Sequence, residues 1–571
     1  MALRKSIVNR FTLVYIVIVL AFVLAIARML SIITVEQEAW MVEAAKLQCA
    51  NREIKPERGN LFADDGSLIT ATIPYYNIYM DMKVENYSTE KGRKMFEENI
   101  DSLSICLSQK FGDKTPAQYK AMIKKGMLDG KRSLRLYSRR VSYIDLMEIK
   151  QFPIIREGTF KSGFYYEELA NRENMYGSLA NRTLGDVNLE EGTGKYGLEM
   201  YYDSLLSGVP GSERGHLVGG GRWAFIEEKA PVHGANIYTT IDIEMQDICE
   251  TAMREKLAEI DAVSACVVLM EVKTGAIRAM VNLERASDGT YFEGRNMAVS
   301  DLSEPGSTFK TMSLMVALDN GVCDTADVLD LNHGLWKFGP RTMKDHNYDR
   351  GGYGELTVAE VLAQSSNVGV SRVIDEYYKD KPMDFVNAIL DTKFAEQLDF
   401  GIPGIARPII PTKSDKRWSR TTLPWMSIGY EVQVPPIYTL YFYNAIANGG
   451  KMMRPYLVKE VRRGEQVLMK NEPKVMKESI CRKETLGKVQ GMLEGVIKYG
   501  TGKPMRMKQF DIAGKTGTAQ LEYANGKAKG HQITFCGYFP ADAPLYSCIV
   551  VIKNQQKNHL QQECVVRSLQ K

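Results

Sequence analysis

The chain has 571 residues, 44% of them hydrophobic and 25% charged, and its 73 Lys and Arg against 69 Asp and Glu give a formal net charge of +4. That length leaves room for several domains, and a near-balanced charge without a basic stripe excludes a protein built to bind nucleic acid. The nine cysteines (positions 49, 106, 249, 266, 323, 481, 536, 548 and 564) form no C-x-x-C pair, and the six histidines show no ligand spacing, so neither a disulfide framework, a metal site nor a cofactor is expected. Cys266, Cys536 and Cys548 sit in apolar, strand-like runs and read as core residues, while pairing of some cysteines in an oxidising compartment stays open.

Arg4, Lys5 and Arg10 precede an uncharged apolar run from Phe11 to Ala27, which resumes after Arg28 and continues through Ile33. About 20 such residues cross a bilayer, and the preceding positive charges keep the N-terminus in the cytoplasm. Residues 1–10 are therefore expected as a cytoplasmic tail, 11–33 as a single-pass anchor in the cytoplasmic (inner) membrane, and the remainder on its far, periplasmic side. The rival is a cleaved signal peptide with its site at Ala25-Ile26-Ala27; the apolar run beyond Arg28, a residue able to snorkel, favours the anchor. No second stretch is long and apolar enough to span, which excludes a channel or transporter.

After the anchor, Arg58 to Gly66 reads as strand, turn and strand, with Asp65-Gly66 at the turn. From about Ile69 to Phe160 the chain is rich in Lys and Glu, with a helix-friendly run from Lys91 to Phe111. It reads as a solvated α/β insertion without a motif, suited to spacing a site from the membrane and to contacting partners. Beyond residue 240, strands at Ala265–Met270, Ile277–Val281, Gly514–Leu521, Ile533–Phe539 and Ser547–Ile552 bracket a helix-rich middle. That is an α+β layout, an antiparallel sheet with helices segregated onto its faces.

Three short motifs lie in this last part: Ser307-Thr308-Phe309-Lys310, Ser365-Ser366-Asn367 and Lys515-Thr516-Gly517. A serine hydroxyl is a poor nucleophile until a neighbouring base takes its proton. Glu304-Pro305-Gly306 breaks the preceding segment, Met312, Met315, Val316 and Leu318 give an apolar helical face, and Gly321 stops it. Ser307 is then expected to open a helix, with the Lys310 amine one turn on and within reach of its oxygen. The helix N-terminus suits a developing oxyanion. Lys310 must be neutral to act as a base, so it is expected to be desolvated or beside another cation, for which Lys515 is the candidate. Ser365-Ser366-Asn367 follows an apolar helix-like run, Val358 to Leu362, and could be a plain cap or turn. In the functional reading Ser365 relays a proton between Lys310 and the leaving amine, and Asn367 holds both the substrate backbone and the lysine. K-T-G occurs twice: Lys273-Thr274-Gly275 reads as a hairpin turn without chemistry, while Lys515-Thr516-Gly517 continues along a strand through Thr518. Gly517 would let substrate approach that backbone closely, and Lys515 with Thr516 or Thr518 would grip a carboxylate.

S-x-x-K, S-x-N and K-T-G in this order resemble the motif set of penicillin-binding proteins and serine β-lactamases. The run Asn296 to Lys310 is similar to the active-site segment of class B penicillin-binding proteins, and Glu304 before Pro-Gly-Ser is closer to the septal, cell-division branch. Arg58 to Gly66 resembles the first signature of the class B pedestal domain. Asn181 to Gly185, Gly194 to Glu199, Tyr202-Asp203 and Leu206 to Gly208 resemble the second, and Thr239 to Asp242 with Gln246 the entry to the transpeptidase domain. Ile428-Gly429-Tyr430, Asn448-Gly449-Gly450 and Arg454-Pro455 fit the family as structure around the cleft. The resemblance implies a pedestal over 34–240, a penicilloyl-serine transferase fold over 241–571, and an oxyanion hole made by the N–H groups of Ser307 and Thr518. It further implies peptidoglycan stem peptides as substrates and β-lactams as acylating analogues, with a polytopic lipid II polymerase and divisome proteins as partners. The end of the chain, Gln561 to Lys571, departs from the family, and a frameshift near residues 555–563 with loss of a final helix is expected. A septal D,D-transpeptidase leads. Elongation-type transpeptidation, β-lactamase or D,D-carboxypeptidase activity, and a noncatalytic β-lactam sensor are the alternatives.

Overall fold

The computed structural model describes residues 2–38, 40, 50–188, 191–218, 222–524 and 527–555. They divide into two compact units. The first takes the chain up to Arg58 together with Ser207–Gly234. Its helix α1, Ala2–Thr34, is longer than the expected span at both ends, and Thr12–Thr34 is the part apolar and long enough to cross a membrane. The helix runs unbroken through Ala25-Ile26-Ala27. Arg28 reaches past its end to the Glu36 carboxylate, which also accepts the Trp40 indole N–H at 3.0 Å, so the charge leaves the apolar stretch as a snorkelling side chain does. Strand β1, Ala50–Ile54, pairs antiparallel with Gly211–Val218, which pairs with Arg222–Lys229. The region between anchor and catalytic motifs is thus not continuous in space, because 207–234 folds back onto β1.

In the second unit, β2 (Leu61–Phe62) and β3 (Leu68–Met80) flank the Asp65-Gly66 turn, where the Ala63 N–H donates to Ser67 O at 2.9 Å and Gly66 has φ +85°. Helices α2 (Glu90–Phe111) and α3 (Pro116–Leu128) follow, then β4 (Leu134–Arg135) and β5 (Phe164–Asn174). This stretch is more than a solvated insertion. Phe96, Ile100, Leu103 and Leu107 form a stripe at helical spacing that packs with Tyr119 and Ile123 against Tyr76, Ile78 and Met80, giving a core of its own. The stripe is narrow, and the surrounding Lys and Glu mask it in the composition.

Next come β6 (Asn236–Thr239), α4 (Ile243–Ile260), β7 (Ser264–Glu271), β8 (Ile277–Arg285) and β9 (Tyr291–Glu293). The helical lobe holds α5 (Lys310–Asp319), α6 (Val358–Ala363), α7 (Asn367–Tyr378), α8 (Thr422–Ser427) and α9 (Pro436–Ala447). The chain closes with β10 (Val458–Arg463), β11 (Gln466–Lys470), α10 (Lys483–Lys498), β12 (Ala513–Ala524), β13 (Lys527–Phe539) and β14 (Tyr546–Gln555). One sheet has the order β11-β10-β6-β2-β3-β4 with β5 on β3, so late strands complete a sheet begun near residue 61. The other has the order β9-β8-β7-β14-β13-β12 and contains every strand expected beyond residue 240. The first K-T-G, Lys273 to Gly275, forms the β7–β8 turn, with Gly275 at φ +82°.

This second sheet is packed on both faces, as an α+β layout requires. On one side α4 contributes Met253, Leu257 and Ile260 against Ala265, Val267, Val550 and Ile552. On the other, α9 is buried along its whole length against Val268, Cys536, Tyr538 and Val551. Cys266 and Cys536 are core residues, and the seven described cysteines are unpaired. Cys49, Cys564 and the expected frameshift lie outside the described residues.

Candidate active site

Gly306–Thr308 forms a single 3-10 turn, and α5 begins at Lys310. Ser307 therefore sits on the turn before the helix rather than opening it. Residues three apart eclipse in such a turn, which keeps Ser307 and Lys310 on one side. The turn is held from three directions. Behind it, the buried Tyr443 hydroxyl donates to Thr308 O at 2.9 Å and meets Thr311 Oγ1 at 2.7 Å. Beside it, the Gly306 N–H donates to Gly429 O at 3.2 Å, and a Cβ on Gly429 would lie 2.1 Å from Gly306 O. In front lies β12, where a Cβ on Gly517 would come within 3.1 Å of Thr308 Cγ2 and one on Gly306 within 3.0 Å of Thr518 O. The backbones carrying Ser307 and Thr518 thus touch.

Ser365 links α6 to α7 with φ +57°, and Ser366 caps α7 by accepting the Gly369 N–H. The turn so formed surrounds Lys310. The Lys310 amine donates to Ser365 O at 2.6 Å and to Asn367 Oδ1 at 2.7 Å, and lies 3.3 Å from Ser365 Oγ. Among the described residues none of its hydrogen bonds goes to Ser307, so the expected direct contact is absent and the amine faces the S-x-N turn. Asn367 is occupied at both ends, because its Nδ2 donates to Lys344 O at 2.7 Å.

Lys310 and Lys515 are both fully buried. Burial pulls the Lys310 amine down to about 7 against the opposing pull of Asp345. Of the two causes expected for this lysine, desolvation is the one that acts, and the charge of Lys515 is not among the groups acting on it; Lys515 is itself held well below the ordinary lysine range by burial and by the charge of Lys310. Lys515 Nζ donates to Thr516 O at 2.9 Å, and Thr516 Oγ1 meets Thr501 Oγ1 at 2.8 Å. Thr518 is exposed on β12, an edge strand whose free side borders the turn.

Three contributors carried no sequence signal, and a fourth carried one for structure alone. Asp345, Tyr443 and Thr501 are ordinary residue types that reach the site from distant segments, and Gly429 was read only as cleft structure. Among the described residues no cluster of His, Cys, Asp and Glu could hold a metal ion.

The model of the penicillin binding protein transpeptidase domain matches residues 265–569, more than half of the chain. The chain belongs to the penicillin-binding protein transpeptidase family. The penicillin-binding protein dimerisation domain matches residues 53–239, the pairing found in class B members. Stage V sporulation protein D of Bacillus subtilis is 26% identical over 449 residues, 76% of this chain and 66% of that protein. Peptidoglycan D,D-transpeptidase FtsI of Escherichia coli is 28% identical over 410 residues, 69% of this chain and 64% of that protein. The chain thus spans just under two thirds of the length of these relatives. The crystal structure of Penicillin Binding Protein 2X from Streptococcus thermophilus shares the fold with a TM-score of 0.73 at 20% identity, covering 91% of this chain and 80% of that one.

Proposed function

We propose that this penicillin-binding protein is a membrane-anchored serine D,D-transpeptidase that crosslinks peptidoglycan stem peptides during cell division. The observation that carries this reading is the Lys310 amine, buried, brought to about 7, and gripped by the S-x-N turn one turn from Ser307. A neutral amine has two N–H bonds and one lone pair. The two short contacts to Ser365 O and Asn367 Oδ1 use both N–H bonds and leave the lone pair to accept a proton.

In the first half-reaction Ser307 Oγ attacks the carbonyl of the penultimate D-alanine, and Lys310 receives the hydroxyl proton. The oxyanion is met by the Ser307 and Thr518 N–H groups. Ser365, 3.3 Å from Lys310, passes the proton to the departing D-alanine amine. In the second half-reaction the amine of another stem attacks the ester, and Ser307 is regenerated. Lys515, Thr516 and Thr518 hold the terminal carboxylate, while Gly517 keeps the strand free of a side chain. An arriving carboxylate favours the charged form of Lys515. β-Lactams acylate Ser307 by the same route.

The anchor reading of 11–33 is supported by a helix continuous through the A-x-A site, which leaves no extended segment for a peptidase. The pedestal over 34–240 and the transpeptidase domain over 241–571 would stand on the periplasmic side, where a polytopic lipid II polymerase and divisome proteins could dock. The septal role is supported by Glu304 before Pro-Gly-Ser, which resembles the septal branch.

Labelling membranes with a fluorescent penicillin tests the chemistry: the wild type should label and hold the label, and Ser307→Ala should not. Rapid release of the label would make it a β-lactamase, and equal labelling of the variant would refute the choice of serine. Depletion should give undivided filaments, and swollen round cells would instead place it in elongation.

A further inference from the structure

A buried carboxylate that no motif predicts stands behind the S-x-N turn. Asp345 is 1% exposed. Its Oδ1 accepts the first N–H groups of α7, from Asn367 at 2.6 Å and Val368 at 2.9 Å, and its Oδ2 accepts the Ser366 hydroxyl at 2.8 Å. Ser366 Oγ in turn accepts the Gly369 N–H at 2.9 Å. One side chain therefore ties down three consecutive residues, Ser366 to Val368, where the turn enters α7. The neighbouring Lys344 O takes the Asn367 Nδ2, so residues 344 and 345 together fix Asn367 by backbone and side chain. Asp345 is itself placed by its N–H, which donates to Gly334 O at 2.9 Å.

The turn needs this restraint. Ser365 has φ +57°, a left-handed conformation that any side chain disfavours. That conformation accompanies the aim of Ser365 O at the Lys310 amine, 2.6 Å away. A carboxylate at the N-terminus of α7 also matches the positive end of the helix.

We propose that Asp345 is a positioning residue of the acylation step: it locks the Ser365-Ser366-Asn367 turn around Lys310 and supplies the counter-charge facing that amine. The proposal rests on the transpeptidase reading and deepens it. Burial alone would strip the amine of its proton too readily for it to hand one on to the leaving group, and Asp345 opposes that burial. The other groups around the pair are Lys515 on β12, His346 and Arg350 beyond Asp345, and Tyr353. Lys310, Arg350 and Lys515 oppose a charge on His346, and Tyr353 is itself raised by burial and by Asp345. Among the described residues Asp345 is the acidic group that acts on Lys310.

The test is the rate of acylation by a fluorescent penicillin as a function of pH, on the full-length protein in membranes. Asp345→Asn should slow acylation about tenfold through the loosened turn, and should move the midpoint of the acid limb down by about half a pH unit through loss of the counter-charge. Ser366→Ala, which removes one tie and no charge, should slow the reaction with the midpoint unmoved. Asp345→Asn with wild-type rate and midpoint overturns the proposal. So does a slowed Asn variant whose midpoint stays in place, since that would be a structural role only. Should the Asn variant fail to fold, Asp345→Glu decides: a slowed rate at an unmoved midpoint supports the proposal, and an unchanged rate overturns it. A wild type that is never acylated, or a Ser307→Ala variant that is, removes the transpeptidase reading itself and is told apart by these controls.

Discussion

Ser307 and Lys310 are three residues apart on one turn, and the chemistry at this scale depends on one proton. Because the Lys310 amine sits at about 7, its neutral fraction grows as pH rises through that value. A base must be neutral to accept the serine proton, so acylation should fall about tenfold for each pH unit below the midpoint and level off above it. Stopped-flow acylation between pH 5 and 9 checks this, and a flat profile across pH 6 to 8 would contradict it. The serine, the lysine and the K-T-G strand stand out in the sequence because short local spacings carry them. Asp345 and Tyr443 do not. Each reaches the site from a segment remote in sequence from the residue it holds, and nothing in an isolated aspartate or tyrosine announces such a contact.

Among elements, the 3-10 turn before α5 is wedged between the Ile428-Gly429-Tyr430 segment and β12. Gly429 has φ +82° and stands against Gly306 O, so Gly429→Ala has neither the conformation nor the space it needs. That variant should lose most of its penicillin acylation and about 1–3 kcal/mol of stability, measured by labelling and by thermal unfolding. At β5 the Arg172 guanidinium contacts the Glu199 carboxylate at 2.6 Å and donates to Gly59 O at 2.8 Å, with both side chains almost fully buried. Arg172→Met leaves a buried carboxylate without its cation and should destabilise the fold by about 3–5 kcal/mol in denaturant titration. A loss below about 1 kcal/mol would mean that water reaches Glu199. The sequence marks Asn181 to Glu199 as a signature. That it clasps Gly59 of the first signature through Arg172 is a tertiary fact.

For the whole molecule, the proposed anchor and the proposed acyl-transfer site are separable in principle. Removal of residues 1–34 should shift the protein from the membrane pellet to the supernatant while Ser307 still takes up penicillin. Retention in the pellet of a labelled, folded protein would show a second membrane contact. The site also depends on long-range closure. Strand β12 lies at the edge of a sheet whose centre comes from residues 264–271 and 546–555, and the α5 turn is carried to that edge by packing on α9.

By itself the sequence determined whatever a short window can encode: an apolar run long enough for a bilayer, hairpins at Asp65-Gly66 and at Lys273 to Gly275, the α+β order of elements, and three short motifs in an order that resembles an acyl-transfer site. Tertiary structure alone decided how Lys310 loses its proton, since desolvation is a property of everything packed around the amine and not of its neighbours in the chain. The same holds for the carboxylate opposite it, for the tyrosine behind the nucleophile, and for the return of residues 207–234 to β1. These arise where distant segments meet, and no local pattern reports a meeting.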